Sequence, residues 1–225
     1  MGLTKGIALT SGNTNLLSIP LATNPGASNS FSKGYASGTP GEIRKSTTTI
    51  NDMNLLAGGG TWFNGAILEF DFVPSGDSVC FRYVFGGEEY SDNTNFTNYQ
   101  CSEYNDKFGF LISGTGINGV VGYTNNARNI ARLGNGSEVG INSVNDGVVG
   151  GSGTPNGPSY CGGTNPDWVQ NTPVAEYNGT IAGTACNGNT KVLIAAQGGL
   201  TPGDTYHIKL LICDLRDGAY DAIVY

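Results

Sequence analysis

Acidic residues cluster in three short segments of a chain in which only 13% of the residues are charged. The segments are Gly86 to Asn93, Tyr104 to Lys107 and Asp214 to Asp221, and each adjoins a predicted strand. Strand ends gather at the two ends of a β-sandwich, so carboxylates from different segments can meet in one pocket. Such a pocket suits Ca²⁺, which takes about six to eight oxygen ligands. The candidate metal ligands are Glu88, Glu89, Asp106, Asp214, Asp217 and Asp221.

The same acids have other interpretations. They could be solvated loop residues or ion-pair partners of Arg82, Lys107 and Arg216, and their spacing is not that of an EF-hand. Paired carboxylates could also serve a glycoside hydrolase, which holds two of them about 5 to 10 Å apart. A nucleophile activated by histidine would need His207, which lies in a predicted strand, and the chain has no G-x-S-x-G motif. We predict no catalytic residues and therefore no enzyme.

Three aromatic residues in loop-like sequence are candidate ligand-binding residues: Trp62, Tyr90 and Trp168. Aromatic side chains can stack on sugar rings, and β-sandwiches often combine such loops with Ca²⁺. The alternative interpretation is that these side chains cover the ends of the core. A calcium-dependent carbohydrate-binding module is therefore an alternative function, with a surface glycan as its partner.

The five cysteines include no C-x-x-C pair, and with a single histidine they do not suggest a zinc site. Cys161 and Cys186 lie in Gly/Asn-rich loop sequence, where a bridge would restrain a long excursion, so we predict a disulfide between them. The connectivity of Cys80, Cys101 and Cys213 is left open. Cys80 and Cys213 fall within strand patterns and resemble small buried hydrophobic residues.

The composition opposes a helical protein and several classes of partner. Of the 225 residues, 36 are Gly and 24 are Asn, two types that favour turns over helices. A net charge of −7 opposes nucleic acid or an anionic membrane as partner. No apolar run approaches the roughly 18 residues of a membrane span. The N-terminal residues lack the pattern of a signal peptide, so the protein is either cytosolic or exported with its leader absent from the given chain.

Alternating apolar residues predict an all-β protein. Residues 67–85 contain two alternating runs around a Pro-Ser-Gly-Asp turn and predict a hairpin that places Glu69 opposite Arg82. Residues 205–214 predict a strand at the centre of a sheet, because its second half is apolar on both faces. The segment from Asn126 to Leu133 predicts one or two helical turns, and no longer helix is expected. Further strands are predicted at Gly6 to Thr10, Phe108 to Ile112, Glu138 to Val144, Lys191 to Ala196 and Ala222 to Tyr225.

These strands and the long loops between them predict a two-sheet antiparallel β-sandwich, jelly-roll-like, with Gly/Asn-rich loops. We expect one domain over residues 1–225. Strand patterns begin and stop close to its ends, which predicts a domain that is trimmed or completed by strands from elsewhere.

Several motifs in the same order resemble the choice-of-anchor L domain family of secreted and surface proteins of bacteria. The motifs are Ala66-Ile-Leu-Glu-Phe-Asp-Phe-Val-Pro, Phe81-Arg-Tyr-Val-Phe-Gly-Gly-Glu-Glu-Tyr, Asn105-Asp-Lys-Phe-Gly-Phe-Leu-Ile-Ser-Gly, Asn129-Ile-Ala and Tyr206-His-Ile-Lys-Leu-Leu-Ile-Cys-Asp with Tyr220-Asp. Two departures are Gly87, where the family typically has Ser, and an end at the final strand, which the family extends. The resemblance implies export and a surface role and brings no catalytic residues with it.

Together, these features predict a non-catalytic extracellular or cell-surface module with a structural or adhesive role and a Ca²⁺ site. In its stronger form, the prediction is a homo-oligomer or fibre in which neighbouring copies complete an open sheet edge by strand exchange. A calcium-dependent carbohydrate-binding module is the alternative, and a carboxylate-based glycoside hydrolase is less favoured.

Overall fold

A computed structural model describes residues 6–11, 47–87, 89–90, 99–119, 122–161, 168–170, 188–218, 220 and 222–225. This part of the chain is nearly all β, in antiparallel sheets, and confirms the predicted sandwich. Its elements are β1 (Leu9–Thr10), α1 (Thr47–Leu56), β2 (Trp62–Phe72), β3 (Ser78–Tyr83), β4 (Phe85–Gly87), β5 (Lys107–Gly114), β6 (Arg128–Asn129), β7 (Val139–Gly140), β8 (Trp168–Gln170), β9 (Gly188–Thr190), β10 (Leu193–Gly198), β11 (Tyr206–Leu215) and β12 (Ala222–Val224).

One layer is built around β11, which lies between β2 and β5, with β6 beyond β5. The alternation that predicted a central strand is confirmed. Tyr206, Ile208 and Ile212 face the main core, whereas Leu211 and Cys213 face a smaller apolar cluster on the other side of the sheet. Both apolar faces of β11 are buried: the second layer packs on the face of the main core, and α1 packs on the face of the smaller cluster.

The second layer joins two sheets end to end. One has the order β1, β12, β4, β9, β8, and the other pairs β10 with β3. They continue one another because only Val84 separates β3 from β4 and only two residues separate β9 from β10. The backbone of Val84 also exchanges two hydrogen bonds with Tyr225, of 2.8 and 2.9 Å.

The predicted hairpin between residues 67 and 85 is wrong, although its two strands exist. β2 pairs with β11 and β3 pairs with β10, so the turn at Pro74 leads from one layer to the other. Glu69 is consequently opposite Lys209 and not Arg82. Both strands nevertheless turn the predicted faces toward the core. Their apolar side chains meet partners from the other layer instead of each other, and the ring centroids of Phe81 and Phe110, for example, are 4.8 Å apart.

The helix α1 was not predicted from the sequence. Its residues include Thr, Ile and Asn, which are weak helix formers, so tertiary packing must stabilise it. Met53 and Leu56 provide that packing, since both are fully buried in the smaller cluster against β11. The helical turns expected from Asn126 to Leu133 are reduced to a 3-10 turn at Thr124–Asn126, followed by strand β6. No helix in the described ranges is long and apolar enough to cross a membrane.

Candidate functional site

Three of the predicted metal ligands lie together at one end of the sandwich. Glu89 follows β4 in the second layer, Asp106 precedes β5, and Asp214 lies near the end of β11. All three are buried, with exposed fractions of 2%, 1% and 1%. Glu89 and Asp214 both lie close enough to Asp106 to affect its ionisation. The prediction that acids from separate segments converge therefore holds for these three residues.

A bulge in β2 supports this carboxylate cluster of Glu89, Asp106 and Asp214. The pairing of β2 with β11 shifts by one residue between Ile212 and Asp214, and Asn64 adopts a positive φ of 47° there. Its side-chain amide donates to Asp214 Oδ2 at 2.9 Å and to the carbonyl of Gly218 at 3.2 Å. Sequence reasoning missed Asn64, although an Asn-Gly pair inside an apolar run is a signal for such an irregularity.

Asp106 is the central acid of the cluster. Its Oδ1 accepts a 2.9 Å hydrogen bond from the backbone N–H of Leu215, and its carboxyl group also hydrogen-bonds with the side chains of Glu89 and Asp214. Burial, and then the neighbouring Glu89 carboxyl, raise the pKa of Asp106 well above its usual value. The Leu215 hydrogen bond and the Asp214 side chain act in the opposite direction without cancelling this effect. Asp106 thus holds a proton where an ordinary aspartate would be ionised.

The cluster is closed on its outer side by Tyr99, Tyr104, Asp217 and Tyr220, and the space among these side chains is too small for a water molecule. Burial, followed by Tyr220 and Asp217, raises the pKa of Tyr99. Of the other predicted ligands, Asp217 is half-buried at this margin, and Glu88 and Asp221 lie outside the described residues. Within the described ranges, no group of three or more Asp, Glu, His or Cys side chains is arranged to hold a metal ion.

Two of the aromatic candidates lie in the protein interior. Trp62 is 9% exposed and donates its indole N–H to Asn54 at 2.7 Å, so it links β2 to α1. Tyr90 is fully buried in the main core. Trp168 lies in β8, and its side chain is outside the described set. Neither Trp62 nor Tyr90 offers a ring face to a sugar, which opposes the prediction that they bind one.

The predicted disulfide between Cys161 and Cys186 is wrong, because Cys161 is bonded to Cys101, with a Cα–Cα distance of 4.6 Å. The backbone N–H of Cys101 donates to Asn142 Oδ1 at 2.8 Å, and this contact helps to fold the loop back onto its start. Cys80 is a free, exposed cysteine and Cys213 is free and buried. Sequence spacing could not select the pair, since 60 residues separate the two cysteines. Cys186 lies outside the described residues.

An apolar groove opens beside β3. It has a volume of about 190 Å³ and lies between the two layers, next to the strands β1 and β12. Its floor and walls are mostly aromatic or aliphatic side chains, and Ile7 at its rim is 62% exposed. The apolar lining residues include Phe70, Phe81, Tyr83, Phe108, Phe110 and Leu210.

Comparison with known proteins gives one match. A search of curated proteins and a search of solved structures found nothing similar. The family model described as the choice-of-anchor L domain matches residues 1–225, the whole chain. The chain therefore belongs to the choice-of-anchor L domain family, whose members are modules of secreted and cell-surface proteins of bacteria.

Proposed function

We propose that this surface module is non-catalytic and structural, and that it assembles into oligomers or fibres when a strand from a second copy completes its open sheet edge. The supporting observation is the apolar groove that opens between the two layers beside β3. Among the strands that the structure describes, only β10 pairs with β3. On the opposite side of β3, the ladder of β12 stops at the Val84 and Tyr225 pair.

The chemistry of the groove favours an extended strand over a small ligand. An added strand makes backbone hydrogen bonds along its whole length, whereas a small ligand has few polar partners in a groove lined mainly by apolar side chains. The inward side chains of that strand would enter an apolar space lined by Phe81 and Tyr83 from β3 and by Phe108 and Phe110 from β5. Alternating apolar side chains on the added strand would bury this surface, which is the usual basis of strand addition.

A second copy of the chain can supply such a strand. β1 pairs with β12 at only two positions, and β12 pairs with β4 at three. Few backbone hydrogen bonds are lost when elements this short are exchanged between copies, and equivalent bonds re-form in the partner, so exchange has a small net cost. The proposal thus commits to terminal strand exchange between identical chains.

The experiment measures particle size by light scattering and electron microscopy over a concentration series. We expect Ile7→Asp, which places a charge at the groove rim, to reduce the oligomeric fraction at least about tenfold, since burying an unpaired charge costs more than about 1.4 kcal/mol. Ile194→Asp is the matched control, because Ile194 is 59% exposed and does not line the groove. Wild-type protein that remains monomeric at every concentration, or equal effects of the two variants, would contradict the assembly.

A structural Ca²⁺ ion at the carboxylate cluster is a second proposal. It is favoured by the burial of three carboxyl groups, those of Glu89, Asp106 and Asp214, at one end of the sandwich. A cation would enter only with movement of the tyrosines that close the cluster, because the space there is too small for a water molecule; it would then take the carboxylate oxygens as ligands and offset their charges. Calcium titration followed by thermal melting tests it.

A further inference from the structure

A buried lysine contacts two carboxylates beneath the helix α1. Lys209, near the middle of β11, is 5% exposed, and its Nζ lies 2.7 Å from Asp52 Oδ2 and 3.1 Å from Glu69 Oε1. Asp52 belongs to α1 and is 1% exposed. Glu69 belongs to β2 and is directly opposite Lys209 in the strand register. Three different elements thus bring an amine and two carboxylates to one point.

Hydrogen bonds and packing hold these groups in place. Asp52 Oδ1 accepts from the backbone N–H of Thr124 at 2.7 Å and from its hydroxyl at 2.9 Å, so Oδ2 is left to the lysine. Lys209 is flanked by β2 on one side and by Leu111 of β5 on the other. The neighbouring cluster of Met53, Leu56, Leu111, Tyr123 and Leu211 is apolar. The side chains of Lys209 and Asp52 are 7% and 1% exposed, whereas that of Glu69 is 29% exposed.

A buried ion pair in such surroundings is costly, because the loss of hydration of both charges offsets most of their attraction. Burial by itself lowers the pKa of Lys209, but its hydrogen bonds to Asp52 and Glu69 outweigh burial and raise it. The resting state is therefore an ammonium group held against a buried carboxylate. Conversion of the pair to a neutral product would remove both buried charges.

We propose that Lys209 and Asp52 join in an intramolecular amide bond that the folded protein forms by itself, with Glu69 as the proton carrier. Lys209 Nζ forms a bond to Asp52 Cγ while the bond from Cγ to one carboxylate oxygen breaks. Two of the three protons on the ammonium leave with that oxygen as one molecule of water. Glu69 accepts one of them from Nζ and passes it to the departing oxygen, and it ends the reaction unchanged.

The geometry supports each part of this reaction. An amine fixed against a carboxyl group has the high effective concentration of an intramolecular reactant. Lysine is an established nucleophile when its amine is deprotonated, and a carboxylate 3.1 Å away can serve as base and then as acid. The product would tie α1 to the central strand across 157 residues of sequence.

Intact-mass measurement of the purified, fully reduced chain tests the proposal. We expect the protein to weigh less than its sequence mass by one water molecule. Protease digestion should then release a branched peptide that joins the segments containing Asp52 and Lys209. An intact mass equal to the sequence mass would overturn the proposal, because the contact would then be an ion pair only.

Variants separate this reaction from other losses of water. Lys209→Arg keeps a positive charge but should restore the full sequence mass, calculated for the variant. A water loss that persists in this variant would come from another reaction and would overturn the proposal.

Glu69→Gln retains the Lys209 and Asp52 pair and should also restore the full mass, and a bond formed without Glu69 would overturn its assigned role. His207→Gln is the matched control, since His207 pairs with Asp71 at 2.7 Å on the same two strands and should leave the mass loss intact.

Discussion

Asp106 has an environment that opposes its own charge. It is buried beside Glu89, and the two carboxyl groups cannot both ionise without a large electrostatic cost. The hydrogen bonds from Leu215 and with the Asp214 side chain lower the pKa of Asp106, but not enough to restore its ordinary value. The folded protein therefore binds a proton at Asp106 that the unfolded chain releases at the same pH.

This bound proton predicts a pH dependence of stability. The pKa of Asp106 is raised in the folded state, so its contribution is fully present below the ordinary aspartate pKa and is lost as pH rises through the folded value. Asp106→Asn stays neutral and can still accept from Leu215. In buffer with a calcium chelator, we expect the wild type to lose up to about 1.4 kcal/mol of stability per pH unit relative to this variant.

Thermal and denaturant unfolding from about pH 5 to about pH 8 would measure the difference. Asp77→Asn is the control, because Asp77 is exposed and lies away from the carboxylate cluster. Parallel pH profiles for the wild type and Asp106→Asn would show that Asp106 carries its charge in the folded protein.

Gly87 shows how tightly the same region is packed. A Cβ atom at this position would lie 2.5 Å from Ile141 Cδ1 and 2.7 Å from Glu89 Oε2. The serine that the family typically has here could not fit without movement of one of these side chains. The close approach of Glu89 and Ile141 thus explains why this chain has glycine at position 87.

At the scale of elements, alternation predicted which side chains face the core but not which strands pair. Phe72, Phe81 and Tyr83 pack in the main core, as the pattern indicates, whereas Phe70 is 38% exposed and lines the groove. The pattern has a period of two residues and contains no information on the partner strand, so a short turn was interpreted as a hairpin when it crosses between layers. Pairing here depends on long-range contacts of β2 with β11 and of β3 with β10.

The helix α1 and the Lys209 cluster escaped sequence reasoning for a related reason. The propensities of residues 47–56 are weak, and helix formation follows from the apolar surface of β11 that it covers. In the alternating pattern of β11, Lys209 falls on the face that the sequence alone would place in solvent, where a charged residue is ordinary. Only the position of α1 over the sheet converts that residue into a buried one.

The disulfide between Cys101 and Cys161 gives a prediction for one long connection. It closes a loop of 60 residues that contains β5, and the chain-entropy estimate for such a loop is about 4 kcal/mol. We expect Cys161→Ser to lower the free energy of unfolding by about 2 to 4 kcal/mol, and Cys101→Ser to do the same. Equilibrium unfolding with and without reductant would measure these changes.

The double variant should be no less stable than either single variant, because one bond can be lost only once. Cys80→Ser is the matched control, since Cys80 is exposed and free. A destabilising effect of Cys186→Ser with no effect of Cys101→Ser would contradict the observed pair and restore the pairing with Cys186.

At the scale of the whole molecule, the carboxylate cluster lies where the two layers meet. Glu89 follows β4 of the second layer, whereas Asp106 and Asp214 belong to the layer built around β11. The sequence could predict this convergence because strand ends gather at the ends of a sandwich. It could not predict that the three acids are buried and that Asn64 supports them, since both features depend on the bulge in β2.

A bound Ca²⁺ ion at this place would link the two layers, so it should stabilise the whole domain and not a single loop. We expect addition of about 1 mM Ca²⁺ to chelator-treated protein to raise Tm by several degrees, because a ligand that binds only the folded state adds to its stability. Asp214→Ala should abolish the rise, whereas Asp77→Ala, at an exposed position, should retain it. The wild-type rise should also weaken as pH falls, because protons compete with the cation for the cluster. An unchanged Tm in the wild type would contradict the calcium site. The charge of the buried acids would then be reduced by a shared proton and not by a cation.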